Sequence, residues 1–290
     1  MHSMCDEHDD GPGAYTEQQR RGYLTIASGG VAAAAGAGAP SAGVEERAVK
    51  IKTPDGEADA ALFVPQGAGA KPGVIYWPDI FGLRPAAKDM GRRLAGDGYV
   101  VLVVNPFYRG GDAEDLSAKS AGFSDFMQKV GFFRDFRIAM SNDAVAADAR
   151  AYVDFLDAQP ETSDAKVGVQ GYCMGGPLAF MTAGAAPDRI GAVASFHGGG
   201  LTTDQPSSPH LIVAKTDAAY LVCVAKNDDE KDPQSKDILN ATFAETGKTG
   251  SAEVYAADHG WCVPDMPVYD QAEAERAWAN LLQTYKAALV

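Results

Sequence analysis

From Arg47 onward the chain alternates between two kinds of apolar spacing. Short runs of apolar, largely β-branched residues recur at 73–77, 99–104, 167–171, 190–196, 220–225 and 252–256, and predict strands. The unbroken runs, such as 73–77, read as strands buried on both faces. Between them, 85–95, 142–156, 233–245 and 269–289 read as helices. The first is opened by Pro85, and the second places Ala144, Val145, Ala149, Tyr152, Val153 and Leu156 on or near one face. Residues 47–53 alternate, Pro54-Asp55-Gly56 turns and 57–64 returns, an antiparallel hairpin at a sheet edge. The stretch 106–141, with Gly110-Gly111, many aromatics and alternating charge, predicts excursion loops and short helices over the rim. Strands alternating with helices imply an α/β domain: a mostly parallel central sheet, right-handed crossovers and helices on both faces. Ligands of such sheets bind at the carboxyl ends of the strands.

Residues 1–46 break the pattern. The first ten are polar and acidic, and His2 and His8 there read as tail residues rather than metal ligands. Gln19-Arg20-Arg21-Gly22-Tyr23-Leu24-Thr25 is followed by a run of almost only Ala, Gly and Ser. Paired arginines before a weakly apolar small-residue stretch resemble a twin-arginine export signal, which implies a periplasmic location. A flexible Ala/Gly-rich leader on a cytoplasmic protein is the alternative. The folded domain is expected to occupy 47–290.

Composition narrows the function classes. The 290 residues are 46% hydrophobic, which suits one large α/β domain or two small ones. A net charge of −14 argues against nucleic acid or an anionic membrane as partner. The four cysteines, Cys5, Cys173, Cys223 and Cys262, are too few for a disulfide scaffold, and no C-x-x-C pair suggests zinc. No metal site is therefore expected.

The run 167–176 ends Gly171-Tyr172-Cys173-Met174-Gly175-Gly176 and leads into an apolar helix. Strand, sharp turn, helix, with a reactive side chain at the apex between glycines, is the nucleophile-elbow pattern G-x-C-x-G, with cysteine where serine usually stands. A helix N-terminus behind the sulfur favours negative charge on it. A buried cysteine on a tight turn would share the pattern, so its partners decide. A thiol with a reference pKa of about 8.5 needs a base, and the base needs an orienting carboxylate. The strand at 220–225 runs into Lys226-Asn227-Asp228-Asp229-Glu230, and the strand at 252–256 into Ala257-Asp258-His259-Gly260-Trp261. Nucleophile, acid, histidine is the chain order of α/β hydrolases. Asp228 is preferred over Asp229 because it lies closer to the strand end. His197, also just after a strand, precedes the carboxylate and is assigned to pocket lining. His210 reads as surface, and Cys223 as core.

An oxyanion hole needs two fixed N–H groups. Met174, after the nucleophile, supplies one, and Ile80 in Trp77-Pro78-Asp79-Ile80-Phe81-Gly82 the other. Asp79 is expected as a second carboxylate near Cys173, where it would raise the thiol pKa. Trp77, Phe81, Tyr108 and Trp261 suggest an apolar or aromatic acyl pocket, or plain rim packing, and Arg109 is a candidate cation.

Together, Gly171 to Gly176, Asp79-Ile80-Phe81-Gly82, Asn227-Asp228 with Pro233, and His259-Gly260-Trp261 with Tyr269-Asp270 resemble the dienelactone hydrolase family of α/β hydrolases, from about Arg47 to the C-terminus. The resemblance implies Cys173 as nucleophile, His259 as base and Asp228 as orienting acid, acting on a small-molecule ester or lactone through an acyl-enzyme and without a cofactor. Dienelactone enzymes carry glutamate where this chain has Asp79. They follow the histidine with serine and a nearby arginine that hold the substrate carboxylate, where this chain has Gly260 and Trp261. Two other classes stay open: a non-catalytic small-molecule binder on the same scaffold, and a thiol redox sensor using Cys173 with Cys262.

Overall fold

The structure, a computed structural model, describes residues 43–67 and 69–290. The paired arginines and nearly all of the expected leader fall outside the described residues. Among the described residues eight strands form one sheet in the order β1-β2-β4-β3-β5-β6-β7-β8. They are β1 Val44–Thr53, β2 Gly56–Pro65, β3 Gly73–Trp77, β4 Val100–Val104, β5 Val167–Tyr172, β6 Ile190–Phe196, β7 Ala219–Ala225 and β8 Gly250–Tyr255. The hairpin β1–β2 is antiparallel and joins β4 antiparallel through β2; all other pairs are parallel. Every residue of β3, β4, β5 and β6 is buried, as the unbroken apolar runs of β3 and β4 require; Gln170 of β5 and Ser195 of β6 are buried polar residues among them.

The helices are α1 Pro85–Gly96, α2 Ala113–Ala121, α3 Phe126–Ala139, α4 Asn142–Asp157, α5 Gly175–Ala185, the single turn α6 Lys226–Asp229, α7 Ser235–Thr246 and α8 Gln271–Ala288. They cover both faces of the sheet. One apolar cluster joins Tyr152 and Leu156 of α4, Leu178 and Phe180 of α5, and Leu239 and Phe243 of α7 to the sheet. The other joins Leu94 of α1 to Trp278, Leu281 and Tyr285 of α8. Caps fit the boundaries: the side chains of Asp125, Ser141 and Asp270 accept first-turn N–H groups of α3, α4 and α8. The expected excursion over 106–141 contains two helices, one of 14 residues, and an aromatic cluster of Phe123, Phe132, Phe133 and Phe136.

This topology fixes where a site can form. From β3 the chain crosses to β4 on one side and returns to β5 on the other, so strand order reverses between β3 and β5. At that reversal the loops leaving the carboxyl ends diverge and open a crevice. Trp77 and Gly171 are register partners there, so the loop after β3 faces the turn after β5.

Candidate active site

The turn after β5 is packed to the limit of backbone contact. A Cβ on Gly171 would lie 1.8 Å from the carbonyl oxygen of Gly175, and one on Gly175 would lie 2.4 Å from that of Trp77. Only glycine at both places lets strand, helix and the loop after β3 approach this closely. Cys173 itself has φ 53°, the left-handed region that a non-glycine residue rarely occupies, so the apex is strained. Its backbone is held from behind: its N–H donates to Phe196 O at 3.0 Å and to His197 Nδ1 at 3.1 Å.

The loops after β7 and β8 bring the other groups to the sulfur. His259 Nε2 lies 3.1 Å from Cys173 Sγ, and its Nδ1 lies 2.5 Å from Asp228 Oδ2. Asp228 sits on α6, the one helical turn that follows β7 without a break. Its Oδ1 accepts from Lys231 Nζ at 3.1 Å. The neighbouring Asp229 instead pairs with Lys236 at 2.7 Å. Asn227 Oδ1 accepts the backbone N–H of His259 at 2.8 Å and so ties the two loops together.

The charges on these groups support one another. Burial would raise the Asp228 pKa, but His259 and Lys231, by charge and hydrogen bond, bring it down to about 2. For His259, burial would lower the pKa, yet the Cys173 sulfur and the Asp228 carboxylate together push it up to about 10. The imidazole is thus favoured in its protonated form, set between the Cys173 sulfur and the Asp228 carboxylate.

Neither the Met174 nor the Ile80 amide donates a hydrogen bond to any described residue. Ile80 follows Asp79 in the loop that packs on the elbow, and Phe81 continues it, half-buried and edge-on to Phe126 and Phe133. No group of three or more His, Cys, Asp or Glu side chains among the described residues is placed to hold a metal ion.

Several expected contributors are placed elsewhere. Asp79 is turned onto Arg84: its two oxygens accept from Nη1 at 2.6 Å and from Nη2 at 2.9 Å, and Oδ1 also accepts the Phe81 N–H at 2.9 Å. A carboxylate so engaged faces a guanidinium, not the thiol. Arg109 is held between Asp55 and the fully buried Asp148, so its charge is committed. The Tyr108 hydroxyl donates to the same Asp148 and is bonded to Thr53. Trp77 donates to Thr182 from inside the core, and Trp261 is buried, stacked on Tyr255. Of the four expected pocket aromatics, Phe81 alone remains partly exposed.

His197 does not line an open pocket. It is 1% exposed, with φ 42°, and its ring lies 4.9 Å from that of His259 and 5.1 Å from that of Trp261. Burial and the neighbouring His259 hold its pKa well below the ordinary value, so it stays neutral and can accept the Cys173 N–H. Nothing in the sequence marked this bond, Asn227's, or that of Lys231. Cys173, Cys223 and Cys262 are free thiols. Burial pushes Cys262 well above the usual thiol range, the wrong direction for an attacking partner in a redox pair.

The model of the dienelactone hydrolase family matches residues 58–289. Carboxymethylenebutenolidase 1 of Cupriavidus pinatubonensis is 27% identical over 212 residues, covering 73% of this chain and 84% of its own. A solved dienelactone hydrolase-like promiscuous phosphotriesterase from metagenomic libraries superposes with a TM-score of 0.68 at 22% identity, covering 86% of this chain and 100% of that one. At that identity the likeness is one of fold.

Proposed function

Because the chain belongs to the dienelactone hydrolase family of α/β hydrolases, we propose that it hydrolyses small carboxylic esters or lactones through a Cys173–His259–Asp228 triad and an acyl-enzyme. The observation that carries this reading is the pair of short contacts on one imidazole, 3.1 Å to sulfur and 2.5 Å to carboxylate.

The reaction runs in two halves. In the first, the Cys173 thiolate attacks the carbonyl carbon, and the charge that develops on oxygen is met by the N–H groups of Met174 and Ile80. Each such donor is worth about a hundred- to a thousandfold in rate. The tetrahedral centre collapses, the C–O bond to the alcohol breaks, and protonated His259 hands its proton to the leaving oxygen. The sulfur is now an uncharged thioester. One of the two negative neighbours that raised the His259 pKa is gone, so the imidazole becomes a base. In the second half it takes a proton from water, hydroxide adds to the thioester, and the acid leaves as the thiolate returns. Asp228 holds Nδ1 throughout, fixing the tautomer that presents Nε2 to the sulfur.

Cys173→Ala, assayed with p-nitrophenyl acetate and a panel of lactones, tests this. The expected result is loss of turnover with the fold intact by circular dichroism; undiminished turnover would refute the assignment.

A further inference from the structure

The two loops that carry the oxyanion donor and the base are joined by one side chain. Arg84 stands at the N-cap of α1, two residues beyond the end of the β3 loop at Gly82. Toward that loop it makes the two-pronged pair with Asp79, the residue that precedes Ile80. Toward the loop after β8 it makes a second two-pronged pair: Nε donates to Asp265 Oδ2 and Nη2 to Asp265 Oδ1, both at 2.7 Å. Asp265 lies six residues past His259, in a segment folded on itself by bonds from Trp261 N to Asp258 O and from Val263 N to Gly260 O. The Arg84 side chain is 12% exposed and that of Asp79 6%, so the two charge-assisted bonds to Asp79 act with little solvent competition, while Asp265 stands on the exposed side of the bridge at 46%. A planar fork that satisfies two carboxylates at once fixes their relative placement; an ammonium on a flexible stem does not.

We propose that Arg84 is a positioning residue: it locks the loop bearing the Ile80 amide to the loop bearing His259, and so sets the oxyanion hole against the catalytic imidazole. Arg84 acts through the two loops and does not touch the reacting atoms. The inference rests on the hydrolase reading for its kinetic consequence, but not for its structural one.

Arg84→Lys keeps the charge and loses the fork, and Asp265→Asn weakens the bridge from its exposed side while leaving Asp79 paired. Both variants are to be assayed for p-nitrophenyl acetate hydrolysis and for alkylation of Cys173 by iodoacetamide, in which thiolate displaces iodide and no oxyanion forms. A misplaced donor should lower kcat about tenfold or more, with KM changed by less than about twofold and the alkylation rate unchanged. Equal falls in hydrolysis and alkylation would overturn the proposal, since Arg84 would then act on the thiol–imidazole pair or on the fold at large. Unchanged kcat in Arg84→Lys would also overturn it. Amide hydrogen exchange separates this inference from the hydrolase reading. With or without ester turnover in the native protein, both variants should exchange faster in 78–82 and in 260–266 together, and unchanged exchange in either loop refutes the lock.

Discussion

The ring of His197 accepts the backbone N–H of Cys173 at 3.1 Å. A buried, neutral imidazole therefore supports the strained residue that carries the sulfur, while a second imidazole, His259, serves the sulfur itself. Removing the first should hurt differently from removing the second. His197→Ala should reduce kcat by about tenfold and cost about 2 kcal/mol of stability, because a buried ring is lost and the elbow keeps only its bond to Phe196 O. His259→Ala should abolish turnover and, because it removes the partner of Asp228, cost a comparable amount of stability near neutral pH. Urea unfolding and ester kinetics on the two variants check both expectations.

The pH dependence follows from the Asp228–His259 pair. Asp228 is depressed in the folded protein from 3.8 to about 2, so its stabilisation is present above pH 3.8 and is lost as pH falls through 2. His259 is raised from 6.5 to about 10, so its stabilisation is full below pH 6.5 and is lost as pH rises through 10. The margin of the native protein over Asp228→Asn should be widest between these two ordinary values, on the order of 2 kcal/mol, and should shrink on either side. The alkaline limb of kcat/KM should fall near pH 10 in the native protein and at lower pH in Asp228→Asn. Thermal melts and rate profiles across pH 3 to 11 read both.

Glycine substitutions separate necessity from habit. Gly171→Ala drives a methyl group to 1.8 Å from a backbone oxygen that cannot yield, and should destabilise by more than about 3 kcal/mol or prevent folding. Gly131→Ala, in α3 with nothing near the added carbon, should stabilise by about 0.5–1 kcal/mol. The midpoints of urea denaturation give the comparison.

Much of the architecture was readable from apolar spacing, because buried parallel strands have little choice but to be continuously apolar. The strands at 73–77 and 190–196 agree with the structure residue for residue. The helix at 269–289 begins two residues later than the spacing suggests, where Asp270 caps it. The turn after β5 was legible for a related reason: close backbone contact demands glycine at fixed offsets. Side-chain direction beyond a strand end was not legible. Asp79 was expected at the sulfur, yet it is turned onto Arg84, five residues away, where a guanidinium meets it in two-pronged geometry. Arg109 looked available in sequence because both of its acids, Asp55 and Asp148, are remote in the chain. Trp77 and Trp261 looked like rim aromatics because burial depends on what packs over a loop, which spacing does not record.

We propose that the leader serves in export. Arg20→Lys combined with Arg21→Lys should retain the protein in the cytoplasm of a Gram-negative host with an intact twin-arginine system, while the native chain reaches the osmotic-shock fraction. Equal distribution of the two forms would discard this address.

The position of β8 has a consequence for how the molecule ages under heat. Cys173 follows β5, in the middle of the sheet, but His259 follows β8, an edge strand that among the described residues is paired on one side only. Outer strands fray at lower temperature than the interior they border. Inactivation on warming should thus precede the cooperative melt, and should reverse on cooling so long as the remaining strands have kept their neighbours.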